Sequence, residues 1–454
     1  MLERLILGLV RVVTDTFFRR IDVIGRDRVP GTGPVIFAGN HPNALMDGWL
    51  LTAKCGRWPL RFLANAKLWD YPLLGRALAA TGAVPVYRRE EHGDAVDNSA
   101  AFARLFDVIE AGDCVGIFPE GVSHAEPGLM RLKTGTARIA LGAAARGKVS
   151  VSIVPVGLNY IHRHRFRSQV LIEFGPPIRI DATWLARWNE DESQAINDLT
   201  DHLARALAAV TLNAPDWRTL RIIQAARRLY KPDGAVLTPA QYVELNRRFV
   251  EGYLEDIDDP ALQALSRDIE DYQARLDMLG LRDHHLRRDI TLATAFRKIV
   301  LRSLRVLVLL PLAIPGALLH LPVGWIAAAV GRRFSYEMDD IATLKVLATV
   351  LLLPLLYLAI AVLVANWFGI GWAVLAVVLL AFSFFASVRL IEAEAGLLLS
   401  MLAILKLTRL GAELDGVRNV RRQLVERIRR RVEENVPPDT VRIFTATDFG
   451  GTGP

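Results

Sequence analysis

Between Val346 and Val388 the chain runs for 43 residues without a charged side chain. A helix needs about 20 apolar residues to cross a bilayer, so this run is long enough for two spans and too long for a core element of an ordinary soluble domain. Asn366, Gly369 and Gly371 interrupt it near the middle, and Trp367 and Trp372 supply rings suited to a membrane interface. The pattern predicts a two-span hairpin over 346–388. A second uncharged run, Val306 to Val330, contains Pro311, Pro315 and Pro322 with His320 among them. Each proline removes a backbone hydrogen bond at a cost of about 3 kcal/mol, so 306–330 is expected to form a re-entrant or broken hairpin. Together these make a membrane region over 299–389.

Positive charge flanks both runs: Arg297, Lys298, Arg302 and Arg305 before the first, Arg332, Arg333 and Lys345 between them, Arg389, Lys406 and Arg409 after the second. By the positive-inside rule all three flanks are cytoplasmic, which requires an even number of crossings in each run. The expectation is an integral protein of the cytoplasmic membrane with its amino-terminal domain facing the cytoplasm. The whole chain carries 55 Lys+Arg against 48 Asp+Glu, a net +7 that suits work against an anionic phospholipid surface. The basic residues flank membrane segments and no reading motif is present, which argues against nucleic acid. Cys55 and Cys114 form no CxxC, so neither a disulfide framework nor a zinc ribbon is available.

Residues 1–20 place Leu2, Leu5, Ile6, Leu9, Val13 and Phe17 at helical spacing. This amphipathic helix either lies in the membrane interface or packs on the domain that follows. From 21 to 181, β-rich segments at Val35–Ala38, Ala83–Tyr87, Cys114–Phe118, Val149–Leu158 and Val170–Phe174 alternate with helical segments such as Ser99–Glu110. That alternation predicts an α/β domain, a mixed sheet covered by helices. Strands then disappear, and 182–298 reads as a helical connector. The tail, 390–454, forms a basic amphipathic helix up to Pro437–Pro438, either a solvated face on a short coiled coil or a contact with anionic lipid.

Four segments of the α/β domain carry chemistry. Asn40-His41-Pro42-Asn43 follows an apolar strand, and Asp47 stands six positions after His41. An imidazole can take a proton from an alcohol, and a carboxylate can orient it and stabilise the imidazolium; a structural hydrogen-bonding histidine is the plainer alternative. Gly82–Arg89 ends a strand with two guanidiniums, Arg88 and Arg89, matched to bidentate phosphate binding. Phe118-Pro119-Glu120-Gly121 ends another with a carboxylate and a glycine whose backbone can approach a ligand. Val154-Pro155-Val156-Gly157 ends a third. Strand-end loops of one α/β sheet converge on a crevice, so His41, Arg88 and Glu120 are expected to share a site. The cluster His162, Arg163, His164, Arg165 and Arg167 reads as a solvated or lipid-facing loop, or as a second phosphate contact. No ligand spacing supports a metal site.

In this order, NHPN…D, GAVPVYR, FPEG and VPVG resemble the four motifs of the glycerophospholipid acyltransferase superfamily. The variant is similar to the fungal glycerol-3-phosphate/dihydroxyacetone-phosphate acyltransferases, a likeness extended by Ala226–Tyr230, LPLAIPGALLHLP and Asp340–Lys345. The resemblance implies acyl transfer from acyl-CoA or acyl carrier protein, as co-substrate and without a cofactor, to a hydroxyl of glycerol-3-phosphate or lysophosphatidate. It implies His41 as general base, Asp47 as its orienter, Arg88 with Arg89 as phosphate contacts, and Glu120 with Gly121 as acceptor-binding residues. One departure stands out: the common pattern has four residues between histidine and aspartate, whereas five intervene here, Pro42 to Met46. On a regular helix the extra residue would rotate the acid by about 100°, so a longer loop or a bulge must absorb it.

Overall fold

The computed structural model describes residues 2–70, 72–87, 98–232, 234–286, 292–335, 340–435 and 442–444. The chain divides into two compact units.

The first unit, Met1–Trp217 with Leu237–Arg247 and Ser335–Thr343, is built on an eight-stranded mixed sheet. Its strands are β1 (Phe18–Ile24), β2 (Val35–Gly39), β3 (Leu60–Asn65), β4 (Val84–Val86), β5 (Cys114–Ile117), β6 (Ser152–Tyr160), β7 (Ser168–Phe174) and β8 (Ile178–Arg179). They lie in the order β1-β7-β6-β2-β5-β3-β4, with β8 also pairing β6. The helices are α1 (Leu2–Phe17), α2 (Ala44–Lys54), α3 (Pro72–Ala80), α4 (Ser99–Glu110), α5 (Gly135–Ala145), α6 (Ala182–Glu190) and α7 (Glu192–Val210). The fold class is the one expected. Strands β2 and β5 are buried along their whole length and β6 along all but its last residue, which is why they read as unbroken apolar runs. Strand β1 escapes that reading because Arg19 and Arg20 are exposed in its first half.

Pairing direction positions the site. Strands β2, β5, β3 and β4 are mutually parallel, and β6 runs parallel to β2. The carboxyl ends of all five strands therefore open on one edge of the sheet, where the chain after β2, β4, β5 and β6 emerges. Of helices α6 and α7, both assigned by sequence to the connector, α7 buries Ala195, Ile196, Leu199, Leu203 and Leu207 in the same core as Ile36, Val115 and Ile153, and α6 packs Trp184, Leu185 and Trp188 against it. Asp181 and Asp191 cap their amino termini, accepting from Trp184 N and Gln194 N respectively.

The second unit, Arg218–Val236, Arg248–Phe334 and Leu344–Pro454, is helical. The helices after α7 are α8 (Trp217–Tyr230), α9 (Pro239–Glu255), whose first half belongs to the first unit, α10 (Pro260–Met278), α11 (Leu292–Phe334), α12 (Asp340–Phe368), whose first turn belongs to the first unit, and α13 (Ile370–Asn435). Among the described residues three stretches are long and apolar enough to cross a membrane: Val306–Phe334, Asp340–Phe368 and Ile370–Glu392.

The first apolar run is not a broken hairpin. Helix α11 continues unbroken through Pro311, Pro315 and Pro322. Beside Pro315 a neighbour enters the ladder: the Ser383 hydroxyl, from α13, accepts from Gly316 N (2.6 Å) and donates to the Leu312 carbonyl. Helices α11 and α13 touch backbone to backbone there, since a Cβ on Gly316 would lie 2.3 Å from the Ser383 carbonyl oxygen. The second run divides where expected, at Gly369, whose φ of 91° suits glycine.

Helix α13 then continues as the tail. Leu414, Val417, Leu424 and Ile428 share a core with Ile222 and Leu229 of α8 and with Leu265, Ile269 and Tyr272 of α10. Its arginines meet connector acids, Arg421 with Asp283 at 2.9 Å and Arg431 with Asp256 at 2.9 Å. This apolar face of the tail is thus packed against other helices of its own unit. Pro437 and Pro438 lie outside the described residues.

Candidate active site

Strand β2 delivers the chain to Gly39, over which the Phe118 ring lies 3.2 Å from the position a Cβ would take. Asn40 then fastens the loop to β6, its Oδ1 accepting from Leu158 N at 2.7 Å. The next residue, His41, is held from several directions. Its backbone N–H donates to Glu120 Oε1 (2.8 Å), its carbonyl accepts from His124 N (3.1 Å), and its ring stacks on Phe118 with centroids 4.1 Å apart and planes 5° apart. His41 Nδ1 lies 2.9 Å from Asp47 Oδ2.

The extra residue between histidine and aspartate is absorbed before the helix begins. Asn43 adopts φ −151° and Ala44 a left-handed φ of 43°, which resets the chain direction and leaves Asp47 in the first turn of α2 facing His41. A left-handed alanine costs about 1–2 kcal/mol, a local strain held beside the site. Asp47 is fully buried. Its Oδ2 accepts from His41 Nδ1 and from Asn43 N (2.7 Å), and its Oδ1 accepts from the Tyr160 hydroxyl. Burial pushes the Asp47 carboxyl above the ordinary carboxylate range, while the donors from His41, Tyr160 and Asn43 pull against that rise. Against this carboxylate the imidazole carries its proton on Nδ1, so Nε2 is the nitrogen able to accept one.

Glu120 closes the other side. Its side chain is buried, with Oε1 on His41 N and Oε2 accepting from Met130 N (2.8 Å) and meeting His124 Nε2. The carboxylate thus ties the loop after β5 to the loop after β2. Gly121 turns with φ 77°, and a Cβ there would meet the Lys133 side chain at 2.8 Å. Arg163 makes a second tie, donating to the carbonyls of His124 (3.0 Å), Ala125 (2.9 Å) and Pro42 (3.4 Å). Within the basic cluster after β6, Arg163 is therefore engaged by backbone carbonyls rather than solvated.

The structure brings His41, Asp47, Glu120 and Gly121 together; Arg88 and Arg89 lie outside the described residues. Sequence reading passed over Phe118 and Phe62, whose rings stack 6.0 Å apart behind His41, and over Tyr160 and Arg163 in these positions. Phe62 fits because Gly116 beneath it has no side chain: a Cβ there would lie 2.3 Å from the ring.

The site is a histidine backed by a buried carboxylate, at the carboxyl edge of a mixed sheet and followed in the chain by helices long and apolar enough to cross a bilayer. Residues 20–159 match the acyltransferase family model, and residues 222–440 match the model of the glycerol-3-phosphate acyltransferase 2 C-terminal domain. Glycerol-3-phosphate O-acyltransferase 2 of Saccharomyces cerevisiae is 35% identical over 289 residues, 60% of this chain and 39% of the yeast protein. Glycerol-3-phosphate O-acyltransferase 1 of the same yeast is 35% identical over 288 residues, 60% of this chain and 38% of its own. The match thus spans about two fifths of the length of these two relatives. The solved structure of the 1-acyl-sn-glycerophosphate acyltransferase of Thermotoga maritima aligns at 16% identity with a TM-score of 0.31, over 43% of this chain and 80% of that one. The chain is thus similar to acyltransferases over 20–159 and to the glycerol-3-phosphate acyltransferase 2 C-terminal domain over 222–440.

Proposed function

We propose that this protein transfers a fatty acyl chain from an acyl thioester, acyl-CoA or acyl carrier protein, to a hydroxyl of glycerol-3-phosphate or lysophosphatidate at a membrane surface. The observation that carries the reading is the 2.9 Å contact between His41 Nδ1 and buried Asp47, which directs Nε2 toward an incoming hydroxyl. His41 Nε2 takes the acceptor's proton as its oxygen attacks the thioester carbonyl. The tetrahedral intermediate then expels the thiolate, which recovers the proton from the imidazolium, leaving an oxygen ester and a free thiol. No acyl-enzyme, metal or cofactor enters these steps. Arg88 and Arg89, whose guanidiniums match bidentate phosphate binding, would hold the acceptor phosphate.

Glu120 and Gly121 would act on the acceptor through the shape of the loop, since the Glu120 carboxylate already receives His41 N, Met130 N and His124.

The reading extends to the membrane. Connector residues before α11 and tail residues of α13 share one core, and a single core lies on one side of a bilayer. An even number of crossings therefore separates them, and two of the three bilayer-length helices span. Positive flanks at Arg332, Arg333 and Lys345 favour α12 and α13 as the spanning pair, with α11 embedded without crossing. The catalytic unit then faces the cytoplasm, where the soluble thioester and the phosphorylated acceptor are. In α1, Leu5, Leu9 and Val12 are exposed along one face beside Arg4 and Arg11, a composition suited to an anionic lipid surface.

The purified full-length protein is assayed for thiol release from defined acyl thioesters with glycerol-3-phosphate, dihydroxyacetone phosphate, lysophosphatidate and other lysophospholipids in turn. His41→Ala is expected to lower the rate by on the order of 10²–10⁴. Near-normal activity in His41→Ala overturns the mechanism. Absence of release with every acceptor supports a lipid-binding protein that keeps the fold without turnover.

A further inference from the structure

We propose that Tyr160 is a positioning residue of the acyl-transfer site, its hydroxyl holding Asp47 in the orientation that aims the His41 imidazole at the acceptor. The inference rests on the reading of His41 as general base and deepens it.

Asp47 has two oxygens in a fully buried position. One is spent on His41 Nδ1 and Asn43 N, both from its own loop. The other accepts from Tyr160, which comes from a different strand and is fixed independently of that loop. Tyr160 is the last residue of β6, where it stands opposite Val170 of β7. Its ring packs against buried Phe18 with centroids 5.8 Å apart. The loop carrying His41 and Asp47 includes the left-handed Ala44, so a carboxylate anchored only within that loop could turn with it. A donor from β6 removes that freedom. Burial and the neighbouring Asp47 charge push the Tyr160 hydroxyl well above its ordinary range, so it remains a donor throughout the working pH range.

The groups surrounding the pair are accounted for. Glu120 and His124 face it from the loop after β5, with Lys133 beyond Gly121, and Arg163 faces it from the loop after β6. Arg163 bonds loop carbonyls, and Glu120 bonds the His41 backbone, so neither replaces the Tyr160 hydroxyl at Asp47 Oδ1.

Tyr160→Phe keeps the ring and its packing and removes one oxygen. A buried carboxylate that loses a donor is harder to keep ionised, so Asp47 takes up a proton at higher pH. The full-length variant is assayed for kcat and both KM values from about pH 5 to about pH 9. The expected result is a fall in kcat of about tenfold or more, KM values changed less than about twofold, and an acid limb of kcat/KM moved upward by about one pH unit. Phe18→Leu, which disturbs the ring's packing but not its hydroxyl, is expected to lower the melting temperature and leave the limb in place. An acid limb unmoved in Tyr160→Phe, or moved equally in Phe18→Leu, overturns the proposal while leaving the His41 mechanism standing. Wild-type thiol release that does not depend on His41 removes both.

Discussion

Asp47 is a carboxylate that burial disfavours and three donors retain, and its chemistry follows from which atoms those donors occupy. An amide in its place would turn its NH₂ toward His41 Nδ1. The imidazole proton would then move to Nε2, the nitrogen that must be vacant to accept a proton. Asp47→Asn is therefore expected to lower kcat by roughly 10²-fold or more with little change in KM, measured by steady-state thiol release. Arg88→Ala addresses binding instead. Loss of a charge-assisted contact is worth about 1.5–3 kcal/mol, so the KM for the phosphorylated acceptor should rise about tenfold to a hundredfold. The thioester KM should hold. An unchanged acceptor KM would place Arg88 outside the site.

Helix α11 carries three prolines and stays a helix, and beside Pro315 it leans on α13. Ser383 accepts from Gly316 N and donates to the Leu312 carbonyl, and the two backbones approach where Gly316 has no side chain. Gly316→Leu would drive a branched side chain into the α13 backbone. Overpacking of this kind costs about 1–3 kcal/mol or more. Gly324, on the same helix, has no atom within 4 Å of where its Cβ would be. Thermal unfolding of the detergent-solubilised protein should therefore shift strongly downward for Gly316→Leu and little for Gly324→Leu. Equal shifts would mean that the close approach contributes nothing.

For the molecule as a whole, the shared core of connector and tail requires an even number of crossings between them, and labelling can decide which helices cross. Cys55 and Cys114 are buried, and burial pushes the Cys55 thiol up to about 11, so neither reacts readily and both can be replaced. Single cysteines at Ser335, Asn366 and Gln423 would then be exposed to a membrane-impermeant maleimide in intact cells. Position 366 should label, and positions 335 and 423 should label only after the membrane is opened. Labelling of 335 together with 366 would make α11 and α13 the spanning pair. Labelling of 423 would contradict the common core.

Much of this was legible in the sequence because the signals were local. Unbroken apolar strands, the turn at Gly369 and the order of four motifs all depend on residues near one another in the chain, and they anticipated the mixed sheet and the placing of His41 near Asp47. Three matters were decided by tertiary structure alone. The prolines of α11 predicted a break, yet the helix runs through them, and beside Pro315 a hydroxyl 67 positions away takes the Gly316 N–H. Helices α6 and α7 read as connector because their amphipathic pattern does not say which surface they cover, and the sheet supplies that surface. The basic tail matched anionic lipid by charge alone, whereas the acids it meets lie more than 130 positions earlier in the chain. Tyr160, Arg163 and Phe118 carry no spacing signal relative to His41. Their roles arise because parallel strands distant in sequence end on one edge of a sheet, a proximity that hydrogen bonding between strands creates and that no local pattern records.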